Sequence, residues 1–145
     1  MNANNQLMQL RWADVRAEWD WVKPLVVEMQ QDLSRDWRYE DVYAACLHNK
    51  AQLFVGVDKW CRQVFFVLQS LQNAYTLENT LFIWLAAGEC GGEYADFYPD
   101  LRAIAKHTGC TSITFKSPRK GWMKAHGVKP VTIEYEIPIE VEEHV

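Results

Sequence analysis

Chemistry in this chain could come from an acidic glycine-rich turn, a basic cluster and a few isolated nucleophiles. The turn is Ala87-Gly88-Glu89-Cys90-Gly91-Gly92-Glu93-Tyr94, and an apolar run, Leu81-Phe82-Ile83-Trp84-Leu85-Ala86, leads into it. Where a strand hands over to a helix, unpaired amide N–H groups point outward and can hold an anion. The local charges oppose one. No Lys or Arg occurs from Gln63 to Leu101, whereas Glu78, Glu89, Glu93, Asp96 and Asp100 are all acidic. An exposed helix N-terminus favours an anion by only about 0.3–1 kcal/mol. Acids at a helix start already satisfy such amides, so ordinary capping is the simpler account of them.

The basic cluster is Lys116-Ser117-Pro118-Arg119-Lys120-Gly121-Trp122-Met123-Lys124. It could meet a nucleic-acid backbone, with Trp122 offering a stacking face. It reads more simply as the solvated side of a short helix around a buried Trp. Cys90 sits in the turn, but no His or Asn lies near it in sequence, so it reads as a plain thiol. His48, His107, His126 and His144 are isolated and lack metal-ligand spacing, and no metal site is expected. For a general base, Glu89, Glu78 and His126 are available, none at a specific spacing.

These residues need a scaffold, and the bulk composition describes one. A chain of 145 residues that is 49% hydrophobic and 23% charged reads as one globular domain over 1–145, long enough to bury a core. The aromatic share of 13%, with seven Trp, implies a bulky core or a sticky surface. A formal net charge of −4 exerts no global pull on nucleic acid or anionic membrane. Cys46, Cys61, Cys90 and Cys110 are far apart, which suits free thiols in a reducing cytoplasm. The polar N-terminus lacks a signal-peptide layout and no apolar run approaches 18 residues, so a soluble cytoplasmic protein is expected.

The periodicity then orders the elements. Residues 7–12 read as a first strand, followed from Asp14 by a helix with Val15, Trp19, Val22, Val26 and Met29 near one face. Pro24 should kink or restart that helix. Asp36 is a candidate N-cap for a second helix over 39–47. The period changes to two over 52–57 and 62–70, which predicts a hairpin with a tight turn at Asp58-Lys59. A strand over 81–86 follows, then a helix from about Phe97 to His107 with Pro99 in its first turn and Gly109 as its left-handed stop. A strand over 111–116, a short helix over 118–125 and a long alternating strand over 131–141 complete the order. The class is α+β, with a central mixed, mostly antiparallel sheet and helices on both faces.

This order of elements resembles the GNAT (GCN5-related N-acetyltransferase) fold over nearly the whole chain. The likeness is strongest over 80–128, and Trp122-Met123-Lys124-Ala125-His126-Gly127-Val128 is similar to the family's aromatic-Tyr-x-x-x-Gly-Phe ending. The resemblance implies that the strands over 81–86 and 112–115 splay apart around the pantetheine of acetyl-CoA. Leu85, Ala86, Gly91, Gly92 and Glu93 would then line the cofactor, and Lys116, Arg119, Lys120 and Lys124 could meet its 3′-phosphate. GNAT enzymes hold pyrophosphate on Gln/Arg-x-x-Gly-x-Gly/Ala. The matching register here is Glu89-Cys90-Gly91-Gly92-Glu93-Tyr94, which keeps one glycine at Gly92. Glu89 stands where the family has Gln or Arg, and Tyr94 where it has Gly or Ala. A carboxylate repels pyrophosphate, and a large side chain blocks the approach of phosphate to the backbone. The family's general-acid Tyr falls on Met123, which cannot protonate a thiolate; Tyr135 or Tyr98 would have to substitute.

The resemblance therefore implies a degenerate acetyl-CoA loop and a non-catalytic binding or structural protein, with no cofactor and with a protein partner or self-association. Compact GNAT-like proteins with eroded loops resemble those encoded by bacteriophages, including virion-associated ones. An acetyl-CoA-dependent N-acetyltransferase with an atypical phosphate loop is the alternative, using Glu89, His126 or Tyr135 as catalytic groups. A nucleic-acid or phosphate binder built on the basic patch is a third reading. That third reading requires salt-sensitive retention on a nucleic-acid column, abolished in Arg119→Glu/Lys120→Glu. The solvated-helix account expects the wild-type chain to flow through, and retention lost in the double variant would overturn it.

Overall fold

The computed structural model describes residues 9–33, 36–89, 94–116 and 137–138. Its centre is β3 (Gln63–Gln72), paired antiparallel with β2 (Gln52–Val57) on one side and β4 (Asn79–Gly88) on the other. The run Val64-Phe65-Phe66-Val67-Leu68 is apolar without alternation because both of its faces are covered, and none of the five is more than 1% exposed. Phe65 and Val67 point into one core with Val22, Val26, Val42, Leu53, Val55 and Leu85. Val64, Phe66 and Leu68 point into the other with Leu10, Leu81, Phe97, Leu101 and Ile104. Fully burying one such side chain contributes about 1.5–3 kcal/mol.

The first core lies under α1 (Val15–Leu33) and α2 (Tyr39–Leu47), the second under α3 (Tyr98–His107). β1 (Leu10–Ala13) pairs antiparallel with β2, and β5 (Ser112–Phe115) pairs parallel with β4. Among the described residues the sheet order is therefore β1-β2-β3-β4-β5. This is the expected mixed, mostly antiparallel sheet with helices on both faces.

Three local expectations are corrected. Helix α1 runs unbroken through Pro24. Pro24 and Asp20, whose carbonyl loses its helical partner, both lie on the exposed side, where water can satisfy that carbonyl. Asp36 is not the cap of α2: the Asp41 carboxylate accepts the Arg38 N–H at 2.9 Å, and Gln30 Oε1 accepts the Tyr39 N–H at 2.9 Å. The turn after β2 is a loop over 58–62 rather than two residues. Asp-Lys lacks the Gly or Asn that a two-residue hairpin turn requires. Instead the Asp58 carboxylate, 5% exposed, accepts the N–H groups of Trp60 at 2.8 Å and Arg62 at 2.9 Å and the Arg62 Nε–H at 2.8 Å.

Other expectations match. Pro99 sits in the first turn of α3, after a 3-10 turn at Ala95–Phe97. Gly109, at φ 74°, donates its N–H to Lys106 O at 3.2 Å, and the Cys110 N–H reaches Ala105 O at 2.8 Å, a Schellman ending. The helix expected over 118–125 and the strand expected over 131–141 lie outside the described residues.

The Asp58 loop generates a pH-dependent prediction. Burial pushes its pKa up, but the backbone N–H of Arg62, the Arg62 guanidinium and the Trp60 N–H outweigh this and hold it below the usual carboxylate value. A depressed folded-state pKa gives stability that is present above the unfolded value, about 3.9, and lost as pH falls through the folded one. Asp58→Asn should lower the thermal midpoint at pH 7, with the deficit shrinking below about pH 4. A deficit independent of pH would show that the carboxylate charge does not hold the loop.

Candidate functional site

The strands β4 and β5 pair from Thr80↔Ser112 to Ile83↔Phe115. Beyond that point β4 continues from Trp84 to Gly88, with no described strand on its β5 side. A β-bulge on β4 lies just past the last of these pairs. On β3, Val67 faces Leu85 while the next residue, Leu68, faces Ile83, so Trp84 is the extra residue. A bulge bends its strand and increases local twist. It also breaks the alternation of side chains: Trp84 and Leu85 both turn to the α1–α2 side, while Ile83 and Ala86 lie on the α3 side. Trp84 meets Trp37 edge to face, with ring centroids 6.2 Å apart.

Among the described residues no strand pairs with the β5 side of β4 beyond Ile83, and that side has a defined polarity. The Glu89 N–H donates to the Gln63 carbonyl at 2.9 Å. Along this part of β4 the odd-numbered residues therefore turn their amides and carbonyls toward β3, and Ala86 and Gly88 turn theirs to the opposite edge. An edge of unpaired amides and carbonyls is a template for an extended amide-bearing chain. That edge already has an occupant. The Tyr94 hydroxyl donates to the Ala86 carbonyl at 3.1 Å, while the Tyr94 ring packs edge to face on Phe66, centroids 5.6 Å apart.

Two acidic residues of this region, Glu89 and Asp100, are bonded to other strands. Glu89 Oε2 accepts the Gln63 N–H at 3.1 Å, which ties the end of β4 to the start of β3. Asp100 Oδ2 accepts the N–H groups of Gln9 at 2.6 Å and Leu10 at 2.7 Å, which ties the first turn of α3 to the start of β1. Its carboxylate thus serves a strand, where ordinary helix capping was expected. Glu78 lies before β4, at the end of that strand opposite Gly88. The candidate bases are therefore not brought together: Glu89 turns to β3, Glu78 is at the far end, and His126 lies outside the described residues.

Leu85 and Ala86 lie on β4 beyond the residues paired with β5 and pair with Val67 and Phe66 of β3, with the Leu85 side chain buried under α1 and α2. Lys116 follows β5 and places its Nζ 5.9 Å from the centroid of the Phe82 ring. Cys90, Gly91, Gly92, Glu93, Arg119, Lys120, Lys124 and Tyr135 lie outside the described residues. On the α3 side of the β4–β5 pair is an open hollow of about 360 Å³, with Ile83, Ile113 and Phe115 of the strands and Tyr98, Leu101 and Ala105 of α3 around it. Burial pushes the thiol of Cys46, on α2, up to about 11, which disfavours its thiolate.

Solved structures share this arrangement. The ribosomal-protein-alanine N-acetyltransferase of Brucella melitensis superposes with a TM-score of 0.65 at 13% identity, over 90% of this chain and 97% of that one. The fold is that of the GNAT acetyltransferases. A GNAT family acetyltransferase from Staphylococcus aureus gives 0.61 at 12% identity, over 90% and 97% of the two chains. An integron cassette protein from the mobile metagenome of Vibrio cholerae gives 0.59 at 12% identity, over 93% and 94%. Neither a protein-family model nor a curated protein sequence matches the chain. At such low identity the likeness is one of backbone architecture.

Two features of this region are not legible in the sequence. The bulge at Trp84 is hidden because the run over 81–86 is apolar throughout, so a slipped alternation leaves no trace. Tyr94 was legible only as a large residue in place of a small one; the bond of its hydroxyl to Ala86 was not. Gly88 closes the strand against β3 so tightly that an added Cβ would collide with the Gln63 carbonyl. Gly88→Ala should therefore cost about 1–3 kcal/mol in urea unfolding, the usual cost of overpacking. An unchanged midpoint would mean that the β3–β4 contact yields without strain.

Proposed function

We propose that this chain is a GNAT-fold binding protein that keeps the sheet as a scaffold and does not transfer acetyl groups. One observation carries the reading: the Tyr94 hydroxyl takes the Ala86 carbonyl on the edge where an acetyl-CoA pantetheine chain would pair. The residues present do not fit that cofactor. Tyr94 holds the edge, the Glu89 carboxylate stands where the family has a Gln or Arg for pyrophosphate, and Met123 stands where it has an acidic hydroxyl. No catalytic step is derived through it.

A protein partner or a second copy of the chain is the proposed ligand. Trp12, Trp60 and Tyr75 are 59%, 67% and 96% exposed, a surplus of solvent-facing aromatic area that supports docking. The likeness of the fold to solved acetyltransferases favours the other reading, an N-acetyltransferase with an atypical loop. Calorimetry with CoA and acetyl-CoA at low salt separates the two. The scaffold reading expects no saturable heat and no thermal shift, with any dissociation constant above about 1 mM. Micromolar binding with acetyl transfer to an amine would overturn it.

A further inference from the structure

Resting on the scaffold reading and narrowing its partner to a second copy of the chain, we infer that the tip of the β3–β4 hairpin is a docking knob. Tyr75 and Leu77 of one copy enter the hollow between α3 and β5 of the other. The tip lies at the end of β4 opposite Gly88. Residues 73–78 are all exposed, Tyr75 by 96% and Leu77 by 64%.

The tip is held in one shape by its own hydrogen bonds. Asn73 Oδ1 accepts the N–H groups of Tyr75 at 2.9 Å and Thr76 at 3.1 Å. The Asn73 N–H donates to the Glu78 carbonyl at 2.9 Å, and the Asn73 carbonyl accepts the Leu77 N–H at 2.9 Å. Gln72 Nε2 donates to the Leu77 carbonyl at 3.2 Å. Leu77 closes this ring at φ 63°, in the left-handed region where Gly or Asn is the usual residue and a branched side chain is strained. Within one chain that leucine gains little burial to offset the strain. Strain kept at an exposed apolar residue points to a bound state that covers it. Order that exists before binding also lowers the cost of docking.

Charge and shape select a second copy as the occupant. The hollow, about 360 Å³, has Tyr98, Leu101 and Ile113 in its lining together with the cations Arg102 and Lys106, both exposed. A cavity of about 150 Å³ accepts a benzene ring, so the hollow has room for the Tyr75 ring and part of Leu77. Among the described residues no carboxylate pairs with Arg102 or Lys106, and no cation pairs with Glu78 at the foot of the tip. An acid beside the apolar knob thus matches two cations beside the apolar hollow. Knob and hollow are neighbours in each chain: the Asn79 carbonyl, next to the tip, accepts the Thr111 N–H at 2.8 Å, and Thr111 lines the hollow. A surface that carries knob and socket side by side is self-complementary about a two-fold axis, each tip entering the other copy's hollow. Two contacts of this size make a weak dimer, with a dissociation constant of about 10–100 µM.

The test is sedimentation velocity of the full chain from about 1 to 500 µM at low salt. Wild type should pass from monomer to dimer across that range. Tyr75→Ser should weaken the dimer at least about tenfold, as loss of a buried aromatic anchor does. Leu77→Gly should also weaken it, while its thermal midpoint, read at the dilute end, stays equal to or above that of wild type. Glu78→Lys and Lys106→Glu should each weaken the dimer, and the two together should restore it. A monomer throughout overturns the inference and leaves the scaffold reading with a different partner. A dimer unchanged by Tyr75→Ser, or no recovery in the charge swap, also overturns it. A lower midpoint for Leu77→Gly would show that this leucine serves the monomer, against the inference. Micromolar binding of CoA with acetyl transfer is the separate result that sinks the scaffold reading, whatever the oligomeric state.

Discussion

Burial of β3 on both faces is the constraint on which the rest of the fold depends. Phe65 and Phe66 are neighbours in sequence and point into opposite cores, so the same two residues commit the chain to helices on either side of the sheet. A strand with no polar side chain across five positions cannot be an edge, and β2 and β4 must flank it. The hydrophobic term sets the layers, and the ladder hydrogen bonds set the register within them. Gly88, pressed against the Gln63 carbonyl, records how close the β3–β4 approach becomes at the end of the strand.

The interest of the molecule begins where that regularity is broken. One extra residue in β4 separates two stretches of the strand: the first pairs with both β3 and β5, and the second pairs with β3. The displaced Trp84 is not wasted, because it turns onto Trp37 at the α1–α2 side and adds to the first core.

Carboxylates in this chain act largely as structural ties. Asp41 holds the Arg38 amide before α2, Asp58 gathers the loop over 58–62, Glu89 closes β3 against β4, and Asp100 joins α3 to β1. Charge-assisted bonds to backbone amides are about twice as strong as neutral ones. Each such bond fixes a strand or helix end that would otherwise fray. A census of acidic residues along the sequence counted Glu89 and Asp100 against a bound phosphate. In three dimensions both are engaged with amides of other strands.

The sequence by itself determined the class and most of the elements. The period of two over 52–57, the helical spacing from Val15, Pro99 early in α3 and Gly109 after it are local signals with local causes, and the structure follows them. Tertiary structure alone decided the bulge at Trp84, the partner of each carboxylate and the bond from Tyr94 to Ala86. The physical reason is range. Helix stops and strand alternation are written within a few residues. The register between β3 and β4 depends on packing across two cores, and a bond from Asp100 to Leu10 joins groups 90 residues apart. No periodicity in the chain encodes such a contact, because it exists only once the layers have closed.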